Sequence, residues 1–205
     1  GNGTTSYLER APVPTANTND PFVLLAIITA ITVDNSGKTI YSLGTAAAGA
    51  GAANRITNGN GTTSKLTGFL RWADAGTQGQ CVGPTPIVGG FYALALHGLS
   101  TDNTLNNLFV NGIKYPGSAA TLSGSVALAH ESIGATVRNA ALNFGDEVVH
   151  FVARGKTSAD LATSQETALL EWTANPWGPF APLPARRYFF ATGAPVSGSI
   201  AATES

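Results

Sequence analysis

His97, His130 and His150, the carboxylates Asp74, Asp102, Glu131, Asp146, Glu147, Glu166 and Glu171, and the lone Cys81 are among the side chains of this 205-residue chain suited to acid–base, metal or nucleophilic chemistry. Their spacing builds none of the usual sites. His130-Glu131-Ser132-Ile133-Gly134 starts like His-Glu-x-x-His, which stacks two zinc ligands one helical turn apart, but Gly134 stands where the second imidazole is needed. No Gly-x-Ser-x-Gly elbow exposes a serine. Gly49-Ala50-Gly51-Ala52-Ala53-Asn54 lacks the last glycine and the helix of a dinucleotide loop. Two carboxylates could reach glycosidase separation only through folding, and the adjacent Asp146 and Glu147 read as a solvated turn. A single cysteine closes no bridge and builds no cysteine-based zinc site, so Cys81 is expected as a buried, inert thiol. These residues imply no enzyme, no metal and no cofactor.

The elements that must carry these side chains are predominantly β. Residues 22–33 are rich in Ile, Val and Leu and read as a strand buried on both faces. Asp34-Asn35-Ser36-Gly37 then turns the chain into a hairpin partner at 38–43. Short strand-like runs follow at 65–72, 91–97, 108–110, 113–115, 125–130, 136–144 and 148–154. Asn111-Gly112 supplies the two positive-φ positions of a type I′ turn. One helix is predicted over 158–172, with Leu161, Ala168, Leu169 and Trp172 near one face and Ser158 as N-cap. A closing strand is expected at 187–192. The pattern implies a single all-β domain over 1–205, an antiparallel barrel or sandwich with long loops and at most one or two short helices. Residues 1–21 form an extended lead-in broken by Pro12, Pro14 and Pro21, and 193–205 a loose tail.

Only 11% of residues are charged, against roughly 25% in ordinary soluble domains. Gly, Ala, Ser, Thr and Asn replace them, giving a surface with few ions to desolvate when another surface docks. Net charge is −1 and the one basic doublet is Arg186-Arg187, which speaks against nucleic-acid binding. The longest apolar run, 22–33, is short of the roughly 18 residues of a membrane span. The lead-in lacks the basic-then-apolar order of a secretion signal. With no Met, the chain is expected to be a piece of a longer polypeptide.

Contact residues are sought in loops. The Ala/Gly-rich stretch 44–61, ending in Asn58-Gly59-Asn60-Gly61, is predicted as a long surface loop, which makes Asn54, Arg55, Asn58 and Asn60 candidate receptor-binding residues. Trp177, in the Pro-rich segment 175–184, is the aromatic candidate. Loops 44–64, 98–107 and 175–185 are the corresponding candidate surfaces. Trp72 and Trp172 are expected in the core. The sequons at Asn2 and Asn60 read first as turn chemistry.

The Met-free length near 200 residues, the many strands and the Thr/Asn/Gly loops resemble the spike or protruding domains of non-enveloped positive-strand RNA virus capsids, the astrovirus spike above all. Tyr7-Leu8-Glu9-Arg10-Ala11-Pro12-Val13-Pro14 and Pro86-Ile87-Val88-Gly89-Gly90-Phe91-Tyr92 contribute to that resemblance. It implies a homodimeric spike on the virion surface that attaches to a host-cell receptor, glycan or protein, meets neutralising antibodies, and has no enzymatic activity. The alternative is a bacterial surface adhesin or carbohydrate-binding module, which shares the composition and the β fold. A β-fold glycoside hydrolase with an unrecognised carboxylate pair is a third reading.

Overall fold

The computed structural model describes residues 7–10, 16–33, 35–46, 51–137, 141–157 and 162–177. The predicted closing strand, the C-terminal tail, the sequon at Asn2, the N-cap Ser158 and Leu161 lie outside these residues.

The fold is an antiparallel β-sandwich. One sheet has six strands in the order β1 (Leu8–Arg10), β10 (His130–Ile133), β3 (Lys38–Gly44), β4 (Ala53–Asn58), β5 (Leu66–Arg71), β6 (Gly79–Val82). The other has five, in the order β13 (Val148–Lys156), β2 (Phe22–Thr29), β7 (Phe91–Gly98), β8 (Asn107–Val110), β9 (Ile113–Pro116). A small ladder pairs β11 (Thr136–Val137) with β12 (Ala141–Leu142). Alternate residues of each strand meet between the sheets: Leu24, Ile28, Leu94 and Leu96 from one, Tyr41, Ile56, Leu66 and Leu70 from the other, all in one buried cluster with Trp72 and Cys81. Burial pushes the Cys81 thiol up to about 12, which keeps it protonated and unreactive.

The remaining face of the five-stranded sheet is apolar too, with Ile27, Ala93, Ala95 and Phe109 buried. Helix α1 (Ala162–Ala174) packs across β7, β8 and β9 on this side. On β2 the cover is partial and the expected burial on both faces is not met: Ile27 is buried, whereas Val23, Leu25 and Thr29 on the same face are half-buried. Helix propensity contributes little, since Thr163, Ser164 and Thr167 are poor formers. Tertiary contacts hold it instead: Trp172 lies 6.1 Å from the Phe151 ring, Gln165 bonds the buried His97, and Thr173 Oγ1 accepts from Gly112 N. Burial lowers the His97 pKa and favours the neutral ring.

Several expectations are corrected. Residues 22–33 and 38–43 do not form a hairpin: β2 pairs with β13 and β7, and β3 with β10 and β4. The turn between them crosses from one sheet to the other, so that both strands feed the same core. The stretch 44–61 is not one long loop, because β4 runs through it as an interior strand. The lead-in contributes strand β1, and 125–130 holds only an isolated bridge at Ala127 before β10 begins at His130. Asn111 and Gly112 take φ of 48° and 80°, as a type I′ turn requires.

Candidate functional site

Strands β1 and β10 form one edge of the six-stranded sheet, and β13 forms the corresponding edge of the other. Register places Leu8 opposite Ile133, Arg10 opposite Glu131, and Ile133 opposite Tyr41, so these side chains share a face. Val152 and Arg154 pair with the core-facing Ala26 and Leu24, and so point toward them across the gap. A recess of about 220 Å³ opens here, floored by Leu8, Ile133 and Val152 and walled by Glu9, Arg10, Tyr41 and Glu131. It lies below the roughly 300 Å³ at which drug-sized pockets begin, so it has room for one ring rather than a long chain.

Glu131 organises the recess. Its Oε1 accepts the phenol of Tyr41, and its Oε2 lies 3.2 Å from Arg10 Nη2 and 3.2 Å from Arg154 Nε. Neither guanidinium is aligned for a hydrogen bond to that oxygen, which is buried without one. Two fixed positive charges therefore share one carboxylate, and Arg10, 59% exposed at its side chain, holds its remaining donors toward solvent. Glu9 also borders the recess, with its carboxylate 2.6 Å from His130 Nδ1. Burial, then the hydrogen bond and charge of Glu131, raise the Tyr41 pKa, so the phenol remains a donor.

The residues singled out from sequence lie elsewhere. Asn54 and Asn58 are fully buried in β4, where Asn54 Nδ2 donates to Thr18 O and Asn58 Nδ2 to Thr32 O and Glu147 Oε1. They join loops to the sandwich from inside and present no surface to a receptor. Arg55 lies over the Phe69 ring at 4.8 Å and donates to Thr136 Oγ1 on the opposite face of the same sheet. Asn60 organises its own turn by accepting from Thr62 N and Thr63 N, the local chemistry that its sequon suggests. Trp177 follows α1 and is 42% exposed. Trp72 is core as expected, while Trp172 is half-buried against Phe151.

Asp146 and Glu147 are not a solvated pair. Asp146 is ion-paired at 2.6 Å to Lys38, and Glu147 is buried with its pKa raised, chiefly by that burial. Sequence reasoning missed Arg10, Tyr41 and Arg154, which are 31 or more residues apart along the chain. The one available signal was His130-Glu131 in a strand-like context. Among the described residues no three His, Cys, Asp or Glu side chains cluster to hold a metal, and no helix is long and apolar enough to cross a membrane.

No protein-family model matches the chain, and no curated protein does. Solved structures do. The CBM40 of the Ruminococcus gnavus IT-sialidase is similar over 77% of this chain and 85% of its own, at 17% identity and a TM-score of 0.54; it is also solved with α2,3-sialyllactose bound, with a TM-score of 0.52 to this chain. The NanB sialidase of Streptococcus pneumoniae is similar over 71% of this chain but only 24% of its own, at 16% identity and a TM-score of 0.54. A leech intramolecular trans-sialidase is similar over 77% of this chain and 24% of its own, at 13% identity and a TM-score of 0.52. At these identities the likeness is one of fold.

Proposed function

We propose that the chain is a carbohydrate-binding module, and that the edge recess takes a sugar bearing a carboxylate. The observation that carries this reading is the sharing of Glu131 by Arg10 and Arg154, which leaves guanidinium donors beside a small apolar floor. A sugar carboxylate suits the planar fork of Arg10, the ring's apolar face suits Leu8, Ile133 and Val152, and its hydroxyls suit the remaining donors. The fold likeness to a sialidase binding module supports the same reading. The capsid-spike expectation gains no support from these neighbours, so the binding-module alternative is taken forward. In this reading Glu131 positions cations and does not cleave a glycosidic bond.

Titration calorimetry with sialyllactose and with lactose tests it. Sialyllactose should bind and lactose should not. Arg154→Ala and Arg10→Ala should each weaken binding at least about tenfold, and Arg10→Lys, which keeps charge but loses the fork, should recover part of it. Equal binding of the two sugars, or full affinity in Arg154→Ala with an unchanged melting temperature, overturns the assignment.

A further inference from the structure

Six of the eleven exposed large apolar side chains among the described residues collect at one end of the sandwich: Ile31, Val33, Ile87, Val88, Phe91 and Val148. The register brings them together. Thr29 at the end of β2 pairs with Phe91 on one side and Val148 on the other, so all three share the outer face. The segment after Pro86 is pinned beside them, since Gly89 N donates to Ala30 O and Ala30 N to Gly90 O. A tight turn closed by Gly90 N to Ile87 O, with Gly89 at φ 79°, pushes Ile87 and Val88 outward at 72% and 61% exposure. Ile87 N also donates to the Tyr92 hydroxyl at 2.8 Å, which fixes the base of the turn. The tip is thus held rigidly in an apolar, outward posture that costs little further ordering when something docks on it.

The charges around this end select the occupant. Asp146 and Lys38 are paired at 2.6 Å, Glu147 is buried on Asn58, and the His150 ring lies 5.9 Å from Phe91 with its Nε2 2.9 Å from Thr29 Oγ1. The one ion pair is matched and the Glu147 carboxyl is interior, so this end has no excess cation for an anionic lipid surface, and a charged protein partner would leave its own ions unmatched. A second copy of the chain brings an equally apolar patch and needs no complementary charge. Six side chains of this size and exposure offer on the order of 500 Å² of apolar surface, in the range that marks contact sites on soluble proteins. Two such patches pressed together would bury about 1,000 Å² in total, the size at which a specific interface begins.

We infer that two copies of the chain pair through this end, with the Ile87-Val88 turn of each seated on the Phe91 and Val148 face of the other. The inference is independent of the sugar reading, because the recess lies elsewhere. Sedimentation equilibrium of the chain over a concentration series should show a reversible dimer. Ile87→Asp with Val88→Asp should weaken dimerisation at least about a hundredfold, with the melting temperature of the diluted monomer unchanged. Leu105→Asp, on an exposed residue at the opposite end, should leave the dimer intact. A strict monomer at millimolar concentration, or a dimer indifferent to the paired aspartates, overturns it. So does a monomer that cosediments with phosphatidylcholine vesicles through Ile87 and Val88, which would assign the patch to a lipid surface.

Discussion

A carboxylate with the same formula does opposite things at Glu131 and Glu147. Glu131 sits between cations at a sheet edge and prepares a charged recess, whereas Glu147 is buried where its charge is costly. The folded-state pKa of Glu147 is raised above the ordinary 4.5. Between 4.5 and that higher value the folded protein keeps a proton that the unfolded chain has released. The contribution of this group to stability is therefore greatest below 4.5 and declines as pH rises through the window. Glu147→Gln removes the ionisation while leaving an oxygen for Asn58. Its melting temperature relative to the parent protein should become more favourable from acid to neutral pH, and a pH-independent difference would contradict the assignment. None of this is visible in the dipeptide Asp146-Glu147, whose polarity alone suggests a solvated turn.

At the level of elements, the hairpin β8–β9 shows local chemistry and packing reinforcing each other. Asn111 and Gly112 hold positive φ, Asn111 Oδ1 accepts from Ala93 N, and Gly112 abuts the end of α1. A Cβ added at Gly112 would sit 2.7 Å from Ala174 Cβ in a conformation that L side chains rarely adopt. Gly112→Ala should cost about 1–3 kcal/mol in urea unfolding, with loss of helix signal if α1 is displaced; an unchanged midpoint would show that the turn tolerates it. This turn was legible from two residues. Strand β4 was not, because Ala53-Asn54-Arg55-Ile56-Thr57-Asn58 has one large aliphatic and the amide-rich composition of a loop. It is a strand because β3 and β5 supply ladders on both sides, and its buried amides find partners in distant segments.

For the whole molecule, the two proposed surfaces are separated along β13 by the four residues from Val148 to Val152, roughly 13 Å at 3.3 Å per residue, and face opposite sides of the sheet. They share no side chain. Ile87→Asp with Val88→Asp should leave the affinity for sialyllactose within about twofold, and Arg10→Ala should leave the dimer constant alone, as expected for independent sites at this separation. A coupled change in calorimetry and sedimentation would show that dimerisation shapes the recess. The low charge content serves both surfaces in different ways: it leaves the apolar end free of unmatched ions, and it makes the arginine pair at the recess a local exception.

By itself, the sequence determined what short-range patterning controls: the antiparallel β class, the single helix near its place, the Asn111-Gly112 turn and the buried inert thiol. Those features depend on residue type and period over a few positions, and such signals survive without knowledge of partners. Tertiary structure alone decided that β2 and β3 face each other across a core instead of pairing, that Asn54 and Asn58 point inward, and that Arg10, Tyr41, Glu131 and Arg154 meet. Each of those outcomes depends on which strands become neighbours. Strand pairing is settled by the cooperative burial of both sheets, so the recess exists only once the edges of the sandwich have been brought together.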